Sequence, residues 1–289
     1  MTRGPVRPGV LLRALVLCLV LGLPATALAG LADRLETEHG TGQIRDGNRR
    51  WTTQELKILD ASLSTLDRKE KRALRGVDIV RMRTSPRPRG AGLYKVDRRG
   101  ARILVYNRAF RGEGRGSARA PNRTLVHEVG HAVSHFRVRR LLEQANRAVG
   151  RTNAAVDAYN AEVRRHNRLA RTANRSGKEG DRRALAAAKA KLKDLAGRLR
   201  AEQKEASVAR RRLRSAQRDF GGLLPRQGPM AGYRKALHGR LGPTAYGRTS
   251  IRESFAESYS LYYCAPEELR RKLPKVAAWI DAGGHREGM

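Results

Sequence analysis

Three histidines recur at intervals of four residues in the segment TLVHEVGHAVSH, at positions 127, 131 and 135. On an α-helix, residues four apart lie on the same face, so His127 and His131 can bind one metal ion. Glu128, between them, is then placed to act as general base toward a zinc-bound water. The segment predicts a zinc-binding helix that begins near Arg123.

His135 does not suit the position of a third ligand. On a continuous helix it lies about 12 Å along the axis from His127, whereas ligand atoms must lie about 2 Å from one ion. Motifs that bring a third histidine to the metal use a glycine to turn the chain. The segment HAVSHFR contains no glycine. We therefore expect His135 to lie on the helix face without binding the metal.

A second segment supplies candidate carboxylates for the third ligand. In SIRESFAESYSLYY, Ser250 is a predicted N-cap, and Glu253 and Glu257 follow four residues apart on one helix face. Acidic residues are scarce in this chain, with 27 Asp and Glu against 61 Lys and Arg. The neighbouring residues are apolar, which favours a buried role. A solvent-facing acidic pair remains the alternative interpretation of the same pattern.

Together the two segments resemble the zinc protease domain of anthrax lethal factor and its secreted bacterial relatives. That family has HEFGHAV followed by Y-G-R-T and then E-x-F-A-E. In this chain HEVGHAV is followed by YGRTSIRESFAE. The resemblance implies a gluzincin, a zinc metallopeptidase of the HExxH type, in which His127, His131 and Glu253 bind Zn²⁺. Its implied substrate is a protein or peptide.

The same resemblance implies the roles of the remaining site residues and the fold. Glu128 would polarise the attacking water, and Tyr246 would donate a hydrogen bond to the developing oxyanion. Glu257 would stand behind a ligating imidazole and hold its tautomer. The implied fold class is α+β, a zincin-like domain with a small twisted sheet, an active-site helix behind it and a second helix that carries Glu253.

The elements that must position these residues precede the zinc-binding helix. Residues 51–67 begin with a capping box formed by Thr52 and Glu55 and continue with leucines at helical spacing, which predicts a helix with one buried face. Residues 76–83 predict a strand, and residues 92–107 predict a β-hairpin.

Residues 137–220 differ from the rest of the chain in their periodicity. They contain no proline, and apolar or small residues recur every seven residues in two interleaved series on each side of a turn at 175–181. The pattern predicts an antiparallel coiled-coil hairpin with arms of about 55–60 Å. His166 falls within this seam and is interpreted as structural. The hairpin would be an insertion between the catalytic segments 30–136 and 221–289.

The predicted hairpin is strongly basic. It holds 24 basic and nine acidic residues, a net charge of +15 within a chain of net charge +34. Two interpretations stay open: an arm that docks an anionic partner, or a solvated hairpin whose outer faces are rich in arginine. Aromatic residues make up only 5% of the chain, which disfavours a base-stacking surface for nucleic acid.

The first 29 residues predict a secretory signal peptide. They have a basic start, an apolar core at 11–23 and an A-x-A pattern that predicts cleavage after Ala29. The apolar core is too short for a comfortable membrane span, so we expect a mature chain without one, in the periplasm or outside the cell. Export also argues against chromosomal DNA as a target.

An exported zinc endopeptidase is the leading interpretation of the sequence. The alternative is a catalytically silent or differently specific protein on the same scaffold. In that case the basic hairpin would bind an anionic envelope or protein partner.

Overall fold

The computed structural model describes residues 25–86, 90–97, 100–111, 116–221, 228–287 and 289. Its helices there are α1 Ala25–His39, α2 Thr53–Ser64, α3 Arg68–Ala73, α4 Arg123–Ser176, α5 Glu179–Gly221, α6 Pro229–Leu237, α7 Ile251–Cys264, α8 Pro266–Lys272 and α9 Pro274–Asp281. The strands are β1 Ile44–Asp46, β2 Val77–Arg81, β3 Gly92–Asp97 and β4 Gly100–Val105. The expected α+β class is confirmed.

Two compact units make up the structure. One comprises the described residues up to Val133 together with Gly242–Ala277, and the other comprises the described residues of Ser134–Leu241 together with those of Ala278–Met289. Most of the predicted signal peptide, residues 1–24, lies outside the described residues, and residues 25–29 form the start of α1. No helix in the described part of the chain has the length and apolarity needed to cross a membrane.

A mixed four-stranded sheet, in the order β1-β2-β4-β3, organises the first unit. β1 and β4 run parallel to β2, and β3 pairs antiparallel with β4 from Gly92↔Val105 to Asp97↔Gly100. The predicted hairpin is therefore confirmed, although β4 ends at Val105 and a 3₁₀ turn begins at Asn107. The short strand β1 was not predicted. β3 lies at the edge of the sheet, and in the described part of the chain no further strand pairs with its other side.

The predicted capping box at the start of α2 is confirmed. The Thr52 hydroxyl accepts from the Glu55 backbone N–H, and the Glu55 carboxylate accepts from the Thr52 N–H. Glu55 also binds the buried Arg81 of β2, with 2.7 Å between Oε1 and Nη2. The helix ends at Ser64 instead of continuing to residue 67, because Asp67 caps the separate helix α3.

Helices α4 and α5 form the predicted helical hairpin. Within the second unit, Arg151 binds Glu202, the Thr152 hydroxyl donates to the Glu202 carbonyl, and Glu162 binds Lys191. Residues later in α4 contact residues earlier in α5, so the two arms run antiparallel. The predicted seam positions, His166 among them, are buried or half-buried. α4 continues without interruption through the boundary predicted at 136/137.

Candidate metal centre

The first turns of helix α4 carry His127 and His131 on one face. Asn122 is fully buried, and its side-chain oxygen accepts from the Leu125 backbone N–H at 3.0 Å, so that it caps the helix. The opposite face of these turns packs into the core of the first unit. Its buried residues are Leu125, Val126, Val129, Ala132 and Val133. His127 and His131 therefore keep a fixed position on a helix that is held along its other side.

Helix α7 brings the carboxylates to the same place. Ser250 is the N-cap, as predicted: its hydroxyl accepts from the Glu253 N–H at 3.1 Å. The two helices approach closely at Gly130. A Cβ atom there would lie 3.1 Å from Ala256 Cα and 3.2 Å from Tyr259 Cβ, so a larger residue would push the helices apart by a few tenths of an ångström. Gly130 was not singled out from the sequence, although it lies inside the HExxH motif.

Both imidazoles converge on one carboxylate oxygen. Glu253 Oε2 lies 3.2 Å from His127 Nε2 and 3.1 Å from His131 Nε2. Two atoms that each lie 2.0–2.1 Å from a tetrahedral zinc ion are separated by about 3.3–3.4 Å. The two distances from Glu253 Oε2 thus differ by only about 0.1–0.3 Å from those of a tetrahedral zinc site, and the ligand atoms of His127, His131 and Glu253 all lie within 4.8 Å of one another. His135 does not belong to this cluster, and its ring packs against Phe220 with 4.6 Å between centroids.

Glu257 lies behind His127 on the side away from Glu253. Its Oε1 is 3.0 Å from His127 Nδ1, and its Oε2 accepts from Arg123 Nη2 at 2.9 Å. A proton on Nδ1 directed at this carboxylate leaves the Nε2 lone pair available to a metal. The 3.0 Å distance between Nδ1 and Oε1 suits the role that the family resemblance predicts for Glu257.

The charges of the cluster favour a bound cation. Burial alone would lower the pKa of His127, but the Glu253 and Glu257 carboxylates outweigh it and raise the pKa to about 10. Burial likewise works to raise the pKa of Glu257, yet His127 and Arg123 hold that pKa at about 2. The pKa of Glu253 is also lowered, against burial, by the two imidazoles. Surroundings that stabilise a proton on His127 stabilise a metal cation for the same electrostatic reason.

The Glu128 side chain extends from α4 to the edge strand β3. Its Oε2 accepts from the Tyr94 backbone N–H at 2.5 Å. A Cβ atom at Gly92 would lie 2.6 Å from Oε1, so a larger residue there would require the Glu128 side chain to shift. Burial raises the pKa of Glu128 and outweighs the opposing effect of His127 and His131. Sequence reasoning missed Gly92 and Tyr94, since nothing local links the hairpin to α4.

Tyr246 borders the cluster and remains accessible. It precedes the 3₁₀ turn Gly247–Thr249 and is 52% exposed, a high value for a tyrosine of the first unit. Its ring centroid lies 5.9 Å from that of His127. The structure therefore brings all six predicted site residues to one location.

Comparisons of the chain with protein-family models, with curated proteins and with solved structures find no match.

Proposed function

We propose that this protein is a zinc-dependent endopeptidase on a zincin-like scaffold. The observation that carries the proposal is the convergence of His127 and His131 on one oxygen of Glu253, at 3.2 and 3.1 Å, beside the buried Glu128. Bound zinc lowers the pKa of a water molecule toward neutrality and polarises a carbonyl oxygen. His127, His131 and Glu253 would hold the ion.

The other site residues supply proton transfer and charge stabilisation. Glu128 would accept a proton from the attacking water and deliver it to the leaving amine. A carboxyl group whose pKa is raised by burial suits this role, because proton transfer is most efficient when the pKa approaches the working pH. The exposed Tyr246 would donate a hydrogen bond to the oxyanion that forms on the substrate carbonyl.

The edge of the sheet offers a docking site for an extended peptide. The Tyr106 N–H donates to the Ala91 carbonyl, so alternate residues of β3 direct their backbone groups away from β4. Gly92 and Val96 belong to this outward set, on either side of Tyr94, whose N–H is taken by Glu128. Strand addition by main-chain hydrogen bonds suits a substrate bound along its length, and thus an endopeptidase.

A mixed peptide library incubated with residues 30–289 tests the proposal. The matched samples are the Glu128→Ala variant and the same protein treated with a chelator. Cuts that disappear in both controls, with one zinc bound per chain, would support a zinc endopeptidase. A chain that binds no zinc and cuts no peptide would refute it. If the predicted signal peptide is cleaved, the reaction takes place in the periplasm or outside the cell.

The basic hairpin supports a second candidate function, the docking of an anionic envelope or protein partner. Within the second unit, a groove of about 360 Å³ between the arms is lined by Arg137, Arg140 and Arg212, with Asp219 beside them. Arginine forks suit phosphate and carboxylate groups. Binding to such a partner that weakens steeply with salt, in a chain without peptidase activity, would favour this alternative.

A further inference from the structure

Arg123 occupies a position where a cation is disfavoured. It is the first residue of α4, and the first turn of this helix holds no acidic residue. The N-terminus of an α-helix carries about half a positive charge, so a cation there is repelled and an anion attracted. A residue that contradicts a local preference in this way needs a compensating contact, and such contradictions concentrate at functional sites.

The compensating contact is with the carboxylate of Glu257, which also lies beside His127. Arg123 Nη2 lies 2.9 Å from Glu257 Oε2, while Glu257 Oε1 lies 3.0 Å from His127 Nδ1. One carboxylate thus contacts two residues that are one turn apart on the same helix, and it also accepts a hydrogen bond from the Thr244 side chain. The Glu257 side chain is 12% exposed and that of Arg123 is 37% exposed.

We propose that Arg123 is a positioning residue for the metal centre, an inference that rests on the proposed zinc function. By holding Oε2, the guanidinium limits the rotation of the Glu257 carboxylate, so that Oε1 stays beside His127 Nδ1. The imidazole then keeps its Nε2 on the side of Glu253. Lysine would retain the charge but not the planar fork, and so would fix the carboxylate less well.

Zinc affinity, measured by competition with a chromophoric chelator, tests this role without relying on activity. We compare the wild-type chain with Arg123→Gln, Arg123→Lys, Glu257→Gln and the Arg123→Gln/Glu257→Gln double variant. Arg270→Gln is the matched control, because it removes another surface arginine from an ion pair with a glutamate, Glu267. The visible spectrum of the Co²⁺-substituted protein reports the ligand geometry directly, and the melting temperature reports folding.

We expect Arg123→Gln to weaken zinc binding about tenfold, the lower end of the 10–100-fold effect of residues that support metal ligands. Arg123→Lys should recover part of the loss, and Arg270→Gln should change nothing. The double variant should bind no more weakly than Glu257→Gln, since Arg123 acts only through that carboxylate. The Co²⁺ spectrum of Arg123→Gln should resemble that of Glu257→Gln.

Two results would overturn the inference. If the losses from Arg123→Gln and Glu257→Gln add in the double variant, or if Arg123→Gln binds zinc as the wild type does, Arg123 does not position Glu257. A wild-type chain that binds no zinc would instead refute the metal centre itself, and this inference with it. Should Arg123→Gln fail to fold, the lysine variant and its Co²⁺ spectrum decide the question.

Discussion

Replacing Gly130 with alanine tests whether the close approach of α4 and α7 sets the metal geometry. The added Cβ would lie 3.1 Å from Ala256 Cα, where ordinary contacts begin at 3.4 Å, so the helices must separate by about 0.3 Å. Gly130 lies next to His131, and Ala256 lies one turn from Glu253. Zinc sites tolerate deviations of about 0.2 Å in ligand distance. A shift of about 0.3 Å between the helices is larger than this tolerance, so zinc binds as before only if the ligand side chains rotate to compensate.

Stability should respond much less than metal binding. Overpacking typically destabilises a protein by about 1–3 kcal/mol, whereas alanine is favoured over glycine in a helix by about 0.8–1 kcal/mol. The two effects partly cancel, which leaves a net destabilisation of about 0–2 kcal/mol. Zinc affinity should fall at least about tenfold, the scale of loss when the support of a ligand is disturbed. Chelator competition and thermal unfolding measure the two quantities separately.

Gly150 provides the control on the same helix. A Cβ atom there would meet nothing within 4 Å, so Gly150→Ala should raise stability by up to about 1 kcal/mol and leave zinc affinity unchanged. If Gly130→Ala behaves like Gly150→Ala in both measurements, the close helix contact is not what holds Glu253 against the histidines.

Three further predictions address the chemistry and the scaffold. Glu128→Gln should retain one zinc and lose at least about 100-fold in kcat/KM on a cleaved peptide; full activity would exclude Glu128 as the base. Because the pKa of His127 is raised to about 10, its imidazole is positively charged at pH 7 and must release one of its two ring protons to bind zinc. Apparent zinc affinity should then fall about tenfold for each unit from pH 8 to 6, and a flat profile by calorimetry would contradict the shift. Tyr263→Phe removes a 2.5 Å hydrogen bond to the buried Glu70 and should destabilise the fold by about 1.5–3 kcal/mol in denaturant unfolding, whereas Tyr246→Phe should lower kcat without that loss.

Features specified by neighbouring residues were predictable from the sequence. The N-caps at Thr52 and Ser250 depend on a side chain and a backbone N–H three residues later, and both are found in the structure. The helical hairpin follows from a seven-residue repeat that persists over both arms. The capping box of Asp67 and Glu70 at α3 has the same local pattern and could have been found in the same way.

Features that depend on pairing between distant segments were not predictable. β1 consists of three residues without a clear apolar alternation, and it becomes a strand through its register with β2, Ile44↔Ile79. The contact between Arg123 and Glu257 joins residues 134 positions apart. No local pattern encodes either pairing. The family resemblance placed Glu257 near the site, but it contained no information about its second partner.

The partners of Glu55 and Glu70 differ in kind from those of Glu253 in this arginine-rich chain. Glu55 faces Arg81, whose charge is permanent, and Glu70 accepts hydrogen bonds from Tyr259 and Tyr263. These carboxylates are satisfied at any pH near neutrality. Glu253 differs, because its close partners are two imidazoles that bear a charge only while protonated. A carboxylate balanced in this way can exchange a proton for a metal cation, and an arginine in place of either histidine would prevent that exchange.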